Sequence, residues 1–248
     1  MIASSRLLAG GCLATAVMLA ACREAQTERE VTTRTSGGEM VSPSGDSADK
    51  MGVALVRVVN AAPTTEQVIV RSDPEHVLAS VDYLNVTPYQ PIDRNWTTFE
   101  ISTADTGTYE PLATNREMLT DGFRYTIVVM RDNKEAEFTT RILRDQIADD
   151  SARSFLRVIH AANGIDDVNI VARGADTIFS DVRFMSEAGF KARDPWRGTL
   201  EIRSEEGNRL LLSIPDFALD AGASHTIVLT RNAAGKLESF QFSDSQVP

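Results

Sequence analysis

Thirteen residues, Leu119-Thr-Asp-Gly-Phe-Arg-Tyr-Thr-Ile-Val-Val-Met-Arg131, return one hundred positions later as Leu219-Asp-Ala-Gly-Ala-Ser-His-Thr-Ile-Val-Leu-Thr-Arg231. The echo extends upstream at the same spacing: Arg57 with Arg157, Val58 with Val158, Asn60 with His160, Ala61-Ala62 with Ala161-Ala162, Val68 with Val168 and Trp96 with Trp196. Between the tryptophans and the long motif the register slips by one residue, so that Glu100-Ile101 answers Glu201-Ile202. Unrelated domains would not hold such a register. The chain is therefore a tandem duplication, and whatever one copy folds into the other must nearly match.

Each copy reads as a run of short strands. Leu55–Val59 is β-branched and brief, and Gln67–Val70 and Asp167–Val171 follow turns. Thr97–Ser102 and Gly198–Arg203 alternate polar and apolar with the strand period of two. Arg209–Ser213 and the apolar run Tyr125–Met130 are further strands, and turn-like Asn133-Lys134 and Ala234-Gly235 lead to last strands at 138–142 and 240–242. No window shows a long amphipathic helix. Regularly spaced strands with turns between them predict an all-β sandwich or barrel in each copy. The predicted domains are 51–148 and 152–246, each large enough for its own core. The polar, acidic joint at 145–153 predicts little apolar contact between them, some relative motion and separate unfolding.

The openings Val56-Arg-Val-Val-Asn-Ala-Ala62 and Leu156-Arg-Val-Ile-His-Ala-Ala162, then Asp166-Asp-Val-Asn-Ile-Val171, the glycine turn and the Thr-Ile-Val strand, resemble the DUF4397 family of exported bacterial domains. The resemblance covers about 53–145 and 153–245. It implies immunoglobulin- or transthyretin-like sandwiches, two copies in tandem, and carries no catalytic residues. The chain departs from the family's usual His-Ala-Ser-Pro, with Asn60-Ala-Ala-Pro63 in one copy and His160-Ala-Ala-Asn163 in the other.

Ahead of the repeats, Leu7 to Ala21 carries no charge and ends Leu19-Ala-Ala-Cys22. This run is too short to span a bilayer comfortably, and it has the basic start and small-residue end of a secretory leader. Its end resembles the bacterial lipobox, which implies residues 1–21 as a lipoprotein signal peptide and acylation of Cys22. The residue after that cysteine is Arg23. By the resemblance, that points to the outer membrane, facing periplasm or cell surface. Cys12 and Cys22 are the two cysteines, so loss of the leader leaves no internal disulfide. Residues 22–50 are rich in Thr, Ser, Gly, Glu and Asp with scattered apolar residues, and read as a flexible tether spanning roughly 30 Å. The net charge of −10, with no basic cluster, excludes nucleic acid as a partner.

Candidate chemistry is sparse. His76, His160 and His225 stand without metal-ligand spacing, and no nucleophile elbow or phosphate loop is present, so no catalytic residue, metal or cofactor is predicted. Asp145, Asp149, Asp150, Asp166 and Asp167 gather near the joint, where calcium ligation competes with a solvated acidic linker. Arg57 and Arg157 sit among apolar residues and are predicted to face away from Val56 and Val58, or Leu156 and Val158, holding a carboxylate. Trp96 and Trp196 are the candidate ligand-binding residues, as sugar-stacking platforms, against a core-packing role for both. Gly122 and Gly222 precede apolar strands and are predicted to turn with positive φ.

These features describe a lipid-anchored, non-enzymatic envelope protein with a binding or spacer role, partnered by membrane and by an envelope protein or glycan. The alternative is an envelope enzyme acting on carbohydrate or peptide through paired carboxylates. The anchor is checked by Cys22→Ser: the variant is expected in the soluble fraction after a high-salt wash. Persistence in membranes would rule out attachment through this residue.

Overall fold

The computed structural model describes residues 52–245, apart from Thr65, Pro74, Arg94 and the stretches 104–109, 133–136 and 147–148. Cys22, the leader and the tether lie outside the described residues. The repeats belong to one compact unit, Ser47–Pro248. The first repeat holds β1 (Val53–Asn60), β2 (Val68–Arg71), β3 (Val77–Val81), β4 (Gln90–Asp93), β5 (Trp96–Thr103), β6 (Ala113–Met118), β7 (Arg124–Arg131) and β8 (Phe138–Arg144). The second holds β9 (Ser154–His160), β10 (Val168–Ala172), β11 (Thr177–Val182), β12 (Ser186–Arg193), β13 (Trp196–Ser204), β14 (Leu210–Leu219), β15 (Ala223–Arg231) and β16 (Leu237–Ser245). One short 3-10 turn, Glu206–Asn208, precedes β14. The fold is all-β, and the strands missing from the sequence reading are mainly polar edges such as β4, β6 and β12. Edge strands carry polar residues and proline because they must not recruit further strands, which removes the apolar pattern that would reveal them.

Each repeat is a pair of four-stranded sheets, ordered β4-β1-β7-β8 with β3-β2-β5-β6, and β12-β9-β15-β16 with β11-β10-β13-β14. The same topology in both copies is the structural form of the duplication. In each inner sheet the two central strands run parallel, with Val58 opposite Ile127 in β1–β7 and Val158 opposite Ile227 in β9–β15. Alternate residues of these strands point inward. Val56, Val58, Ile127 and Val129 join Val68, Phe99 and Ile101 in the first core, and Leu156, Val158, Ile227 and Leu229 join Ile170, Leu200 and Phe217 in the second.

The intervening residues are buried too. β9 is buried along its whole length, β7 at all but its two terminal positions, and β15 at all but its last residue, Arg231. A strand covered on both faces reads as a continuous apolar run. Val59, Ala61, Val128, Met130 and Leu143 of the first repeat form a third apolar cluster with Ile159, Ala161 and Val228 of the second. The two inner sheets therefore pack against each other. This overturns the expectation of little apolar contact across the joint.

The same contact buries charge. The Arg57 guanidinium donates Nη1 and Nη2 to Asp244 Oδ1 and Oδ2, both at 2.8 Å, and Nε to Thr126 Oγ1 at 2.9 Å. Arg157 Nη2 lies 2.7 Å from Asp145 Oδ1, and its Nε donates to Thr226 Oγ1 at 3.4 Å. Asp145 and Asp244 are equivalent residues, each continuing the last strand of its repeat beside Arg124 or Ser224. Each arginine thus pairs with the carboxylate of the other repeat. Tyr89 and Phe190 occupy matching places over the two guanidinium planes, each centroid 4.5 Å from the arginine Cζ. Asp145 also accepts from Thr126 Oγ1 at 2.5 Å and Tyr89 Oη at 2.7 Å. The predicted direction of Arg57 and Arg157 is correct, and so is a carboxylate partner at an edge strand, Asp244 on β16 for Arg57 and Glu187 on β12 for Arg157; the shortest contact of each arginine, however, is to the opposite repeat.

Gly122 and Gly222 do turn with positive φ, at 75° and 70°. The sequence predicts that a side chain there would destabilise one repeat alone. With shared apolar and ionic contacts, Gly122→Val and Gly222→Val are each expected to lower one common transition, by on the order of 1 kcal/mol or more. Calorimetry on residues 47–248 checks this: two endotherms moved separately would show uncoupled repeats.

Candidate functional site

The histidines that differ between repeats do the work of their counterparts. Asn60 Oδ1 accepts from Ala62 N at 3.0 Å, and its Nδ2 donates to the Val81 carbonyl at 3.1 Å. His160 Nδ1 accepts from Ala162 N at 3.3 Å, and Nε2 lies 3.1 Å from the Asp166 carbonyl. These partners place the proton of a neutral ring on Nε2, and burial pushes the His160 pKa down. Likewise Tyr125 Oη accepts from Thr120 N at 3.1 Å, and His225 Nε2 accepts from Asp220 N at 3.0 Å. Both substitutions preserve a hydrogen bond to backbone, so His160 and His225 are structural, as the sequence suggests.

The acidic residues of the joint disperse. Asp145 is committed to the buried network, Asp150 caps a local turn through Ala152 N at 2.9 Å, and Asp167 lies 3.8 Å from Arg183. Among the described residues, no group of three or more His, Cys, Asp or Glu side chains has a metal-binding arrangement.

The tryptophans separate most clearly. Trp96 lies five residues before the core residue Ile101, whereas Trp196 lies six before Ile202, because of the one-residue slip. Strand side chains alternate between faces, so one inserted residue moves everything before it to the other side. In β5 the core side takes Thr97, Phe99 and Ile101, and Trp96 points outward, 57% exposed. In β13 Trp196 shares the core side with Leu200 and Ile202, packs on the second core and meets Phe217 at 6.4 Å between centroids. Gly198 leaves room for it: a Cβ there would fall 2.4 Å from Trp196 Cζ2. The pairing of β13 with β14 is irregular between Gly198 and Leu200, whereas β5 pairs evenly with β6. The sequence treats the two tryptophans as equivalent, and the structure does not.

Trp96 borders a cleft of about 580 Å³ whose polar walls include Asp73, His76, Asp93, Asn95 and Glu100. Asp73 Oδ1 accepts from the backbone N–H groups of Glu75 and His76 at 2.9 and 2.8 Å, which shapes the β2–β3 turn. Arg116, across the β5–β6 ladder, holds its guanidinium 5.2 Å from the Trp96 ring. An open indole face with planar amide and carboxylate acceptors beside it can stack a ring and bind hydroxyls. The corresponding cleft of the second repeat is smaller, about 250 Å³, and more apolar in its walls, with Ala172, Ala175, Ile178, Pro195 and Leu219 beside Trp196; Asp176, Arg193 and Asp194 complete its lining.

Residues 54–171 match a family model described as "Domain of unknown function (DUF4397)". That single stretch covers the first sandwich and continues through β9 and most of β10. Among curated proteins, none matches the sequence. Among solved structures, the chain is similar to the crystal structure of a candidate cell adhesion protein from Bacteroides uniformis, at 11% identity and a TM-score of 0.26, over 79% of this chain and 100% of that one.

Proposed function

We propose that the chain is a non-catalytic glycan-binding protein of the bacterial cell envelope, tethered to the outer membrane through acyl chains on Cys22. The observation that carries the binding reading is the outward turn of Trp96 into a polar cleft, while its counterpart Trp196 is half-buried and packed against the second core. An exposed tryptophan on a sandwich face is costly to leave in water unless something covers it, and a sugar ring covers an indole face while its hydroxyls meet Asp73, Asp93 and Asn95. The second sandwich, with the same topology, serves as a second copy of the domain and as a rigid base. Residues 22–50 act as the spacer that lifts the pair off the lipid.

Asp73, Asp93 and Glu100 line the same cleft, which favours a carboxylate-dependent glycan hydrolase as the second reading. Binding and turnover are separated by one experiment on the full chain in detergent, with soluble fragments of envelope glycan as probe. Trp96 is one of two tryptophans and the exposed one, so bound sugar is expected to change its emission. Trp96→Ala is expected to weaken binding about tenfold or more, Trp196→Phe to leave it within about twofold, and no new reducing ends to form. Equal affinity for the Trp96→Ala variant and the parent would refute the reading. Reducing ends that disappear in Asp93→Asn would favour the hydrolase.

A further inference from the structure

The triplet Asn-x-Thr, with a residue other than proline in the middle, occurs twice in the chain, as Asn85-Val-Thr87 and Asn95-Trp-Thr97. In an exported protein this triplet is the acceptor pattern for N-linked sugar, which uses the asparagine amide and the hydroxyl two residues on. Asp93 stands two residues before Asn95 and extends the pattern to Asp-x-Asn-x-Thr, the form that transferases of bacterial envelopes recognise. Asn85 has Tyr83 in that position. The second repeat has no counterpart, because Pro195-Trp-Arg197 replaces Asn95-Trp-Thr97.

The fold places Asn95 where a sugar can be carried. It lies on the bend between β4 and β5, where the chain leaves one sheet of the first sandwich for the other, and it is exposed. Its carbonyl accepts from Leu119 N at 2.9 Å, which holds the main chain. Its Oδ1 accepts from Trp96 N at 2.8 Å. Of the two amide atoms the oxygen alone accepts, so this bond also fixes which way the side chain faces. Among the described residues, Nδ2 has no acceptor. A sugar on Nδ2 leaves the surface at the rim of the cleft that Asn95 and Trp96 both line. Thr97 is buried on the core side of β5, so its hydroxyl is offered to a transferase only before β5 closes against β6. Transfer therefore belongs to the period of export, ahead of folding.

We infer that Asn95 is a glycosylation site, the acceptor of one N-linked oligosaccharide per chain. The donor is a polyprenyl pyrophosphate bearing the oligosaccharide, and the catalyst is a membrane oligosaccharyltransferase. Nδ2 forms a bond to the anomeric carbon, the bond from that carbon to the phosphate oxygen breaks, and the pyrophosphate leaves with the electron pair. One Nδ2 proton passes to a base of the transferase and then to water, and nothing is oxidised or reduced. The inference rests on export of the chain and is independent of a binding role for the Trp96 cleft.

Intact-mass spectrometry of the full chain, isolated in detergent from the envelope of its own host, tests this, with a periodate-based glycan stain as second readout. The parent is expected to stain and to exceed the mass of the polypeptide with its acyl groups by one oligosaccharide. Asn95→Asp keeps the oxygen that accepts from Trp96 N and removes the nucleophilic nitrogen. It is expected to lose both signals completely with an unchanged far-ultraviolet spectrum. Asn85→Asp is expected to keep both. If Asn95→Asp fails to fold, the Thr97 pair decides: Thr97→Ala is expected to lose the signals and Thr97→Ser, which keeps the hydroxyl, to retain them. A parent in the envelope without the excess mass would overturn the inference and leave export standing, whereas absence of the chain from the envelope would overturn both. Excess mass that survives Asn95→Asp would also overturn the inference.

Discussion

The reciprocal exchange of arginines fixes how the two repeats lie. Arg157 is fully buried, Arg57 is 4% exposed and the Asp145 side chain is 2% exposed. A buried ion pair returns little net stability against replacement by apolar residues, but removal of one partner strands the other charge and costs about 3–5 kcal/mol. Each guanidinium lies 3.5 Å from a carboxylate of its own repeat, Arg57 from Asp145 and Arg157 from Glu187, but makes its short contact to the opposite repeat, Arg57 to Asp244 at 2.8 Å and Arg157 to Asp145 at 2.7 Å. The apolar cluster around Val59, Val128, Ile159 and Val228 supplies the attraction, and the ion pairs permit one orientation of it. Further hydrogen bonds fit that orientation alone, from Thr230 Oγ1 to the Ala61 carbonyl at 2.6 Å and from Tyr83 Oη to Glu238 at 2.5 Å.

Much of this was legible in the sequence. The repeat, the strand class and the turning glycines follow from residue spacing and conformational preference. The direction of Arg57 follows from alternation on β1. What escaped was the second buried face. Tyr125–Met130 and Ala223–Thr230 are buried at every position, which a strand with one wet face cannot be. The acidic joint pointed the other way because its charges were read as solvated. Asp145, the residue just after β8, is instead the most heavily engaged carboxylate of the interface, and nothing local distinguishes it from exposed Asp149 and Asp150. Its partners Arg57 and Thr126 lie on strands 88 and 19 residues upstream, a separation that composition cannot register.

The candidate site was visible in part. Both tryptophans stood out, and the one-residue slip beside them was on the page as a register fault. Its meaning lies in the period of two: a slip in a strand exchanges inside for outside. Duplication supplied two equal positions, and the one-residue slip laid one indole against the core while the other stayed on the surface. The polar residues around Trp96 could not be found this way. Asp73 and His76 come from one hairpin and Asp93 from another strand, so only the folded sheet brings them together.

Native-state hydrogen exchange tests the claim that the two repeats share one cooperative unit most directly. The slowest amides of β1 and β7 and those of β9 and β15 should open with one common free energy, and Asp145→Asn should lower it equally in all four strands. Two sets of amides with different opening energies, only one of them shifted by Asp145→Asn, would contradict the account.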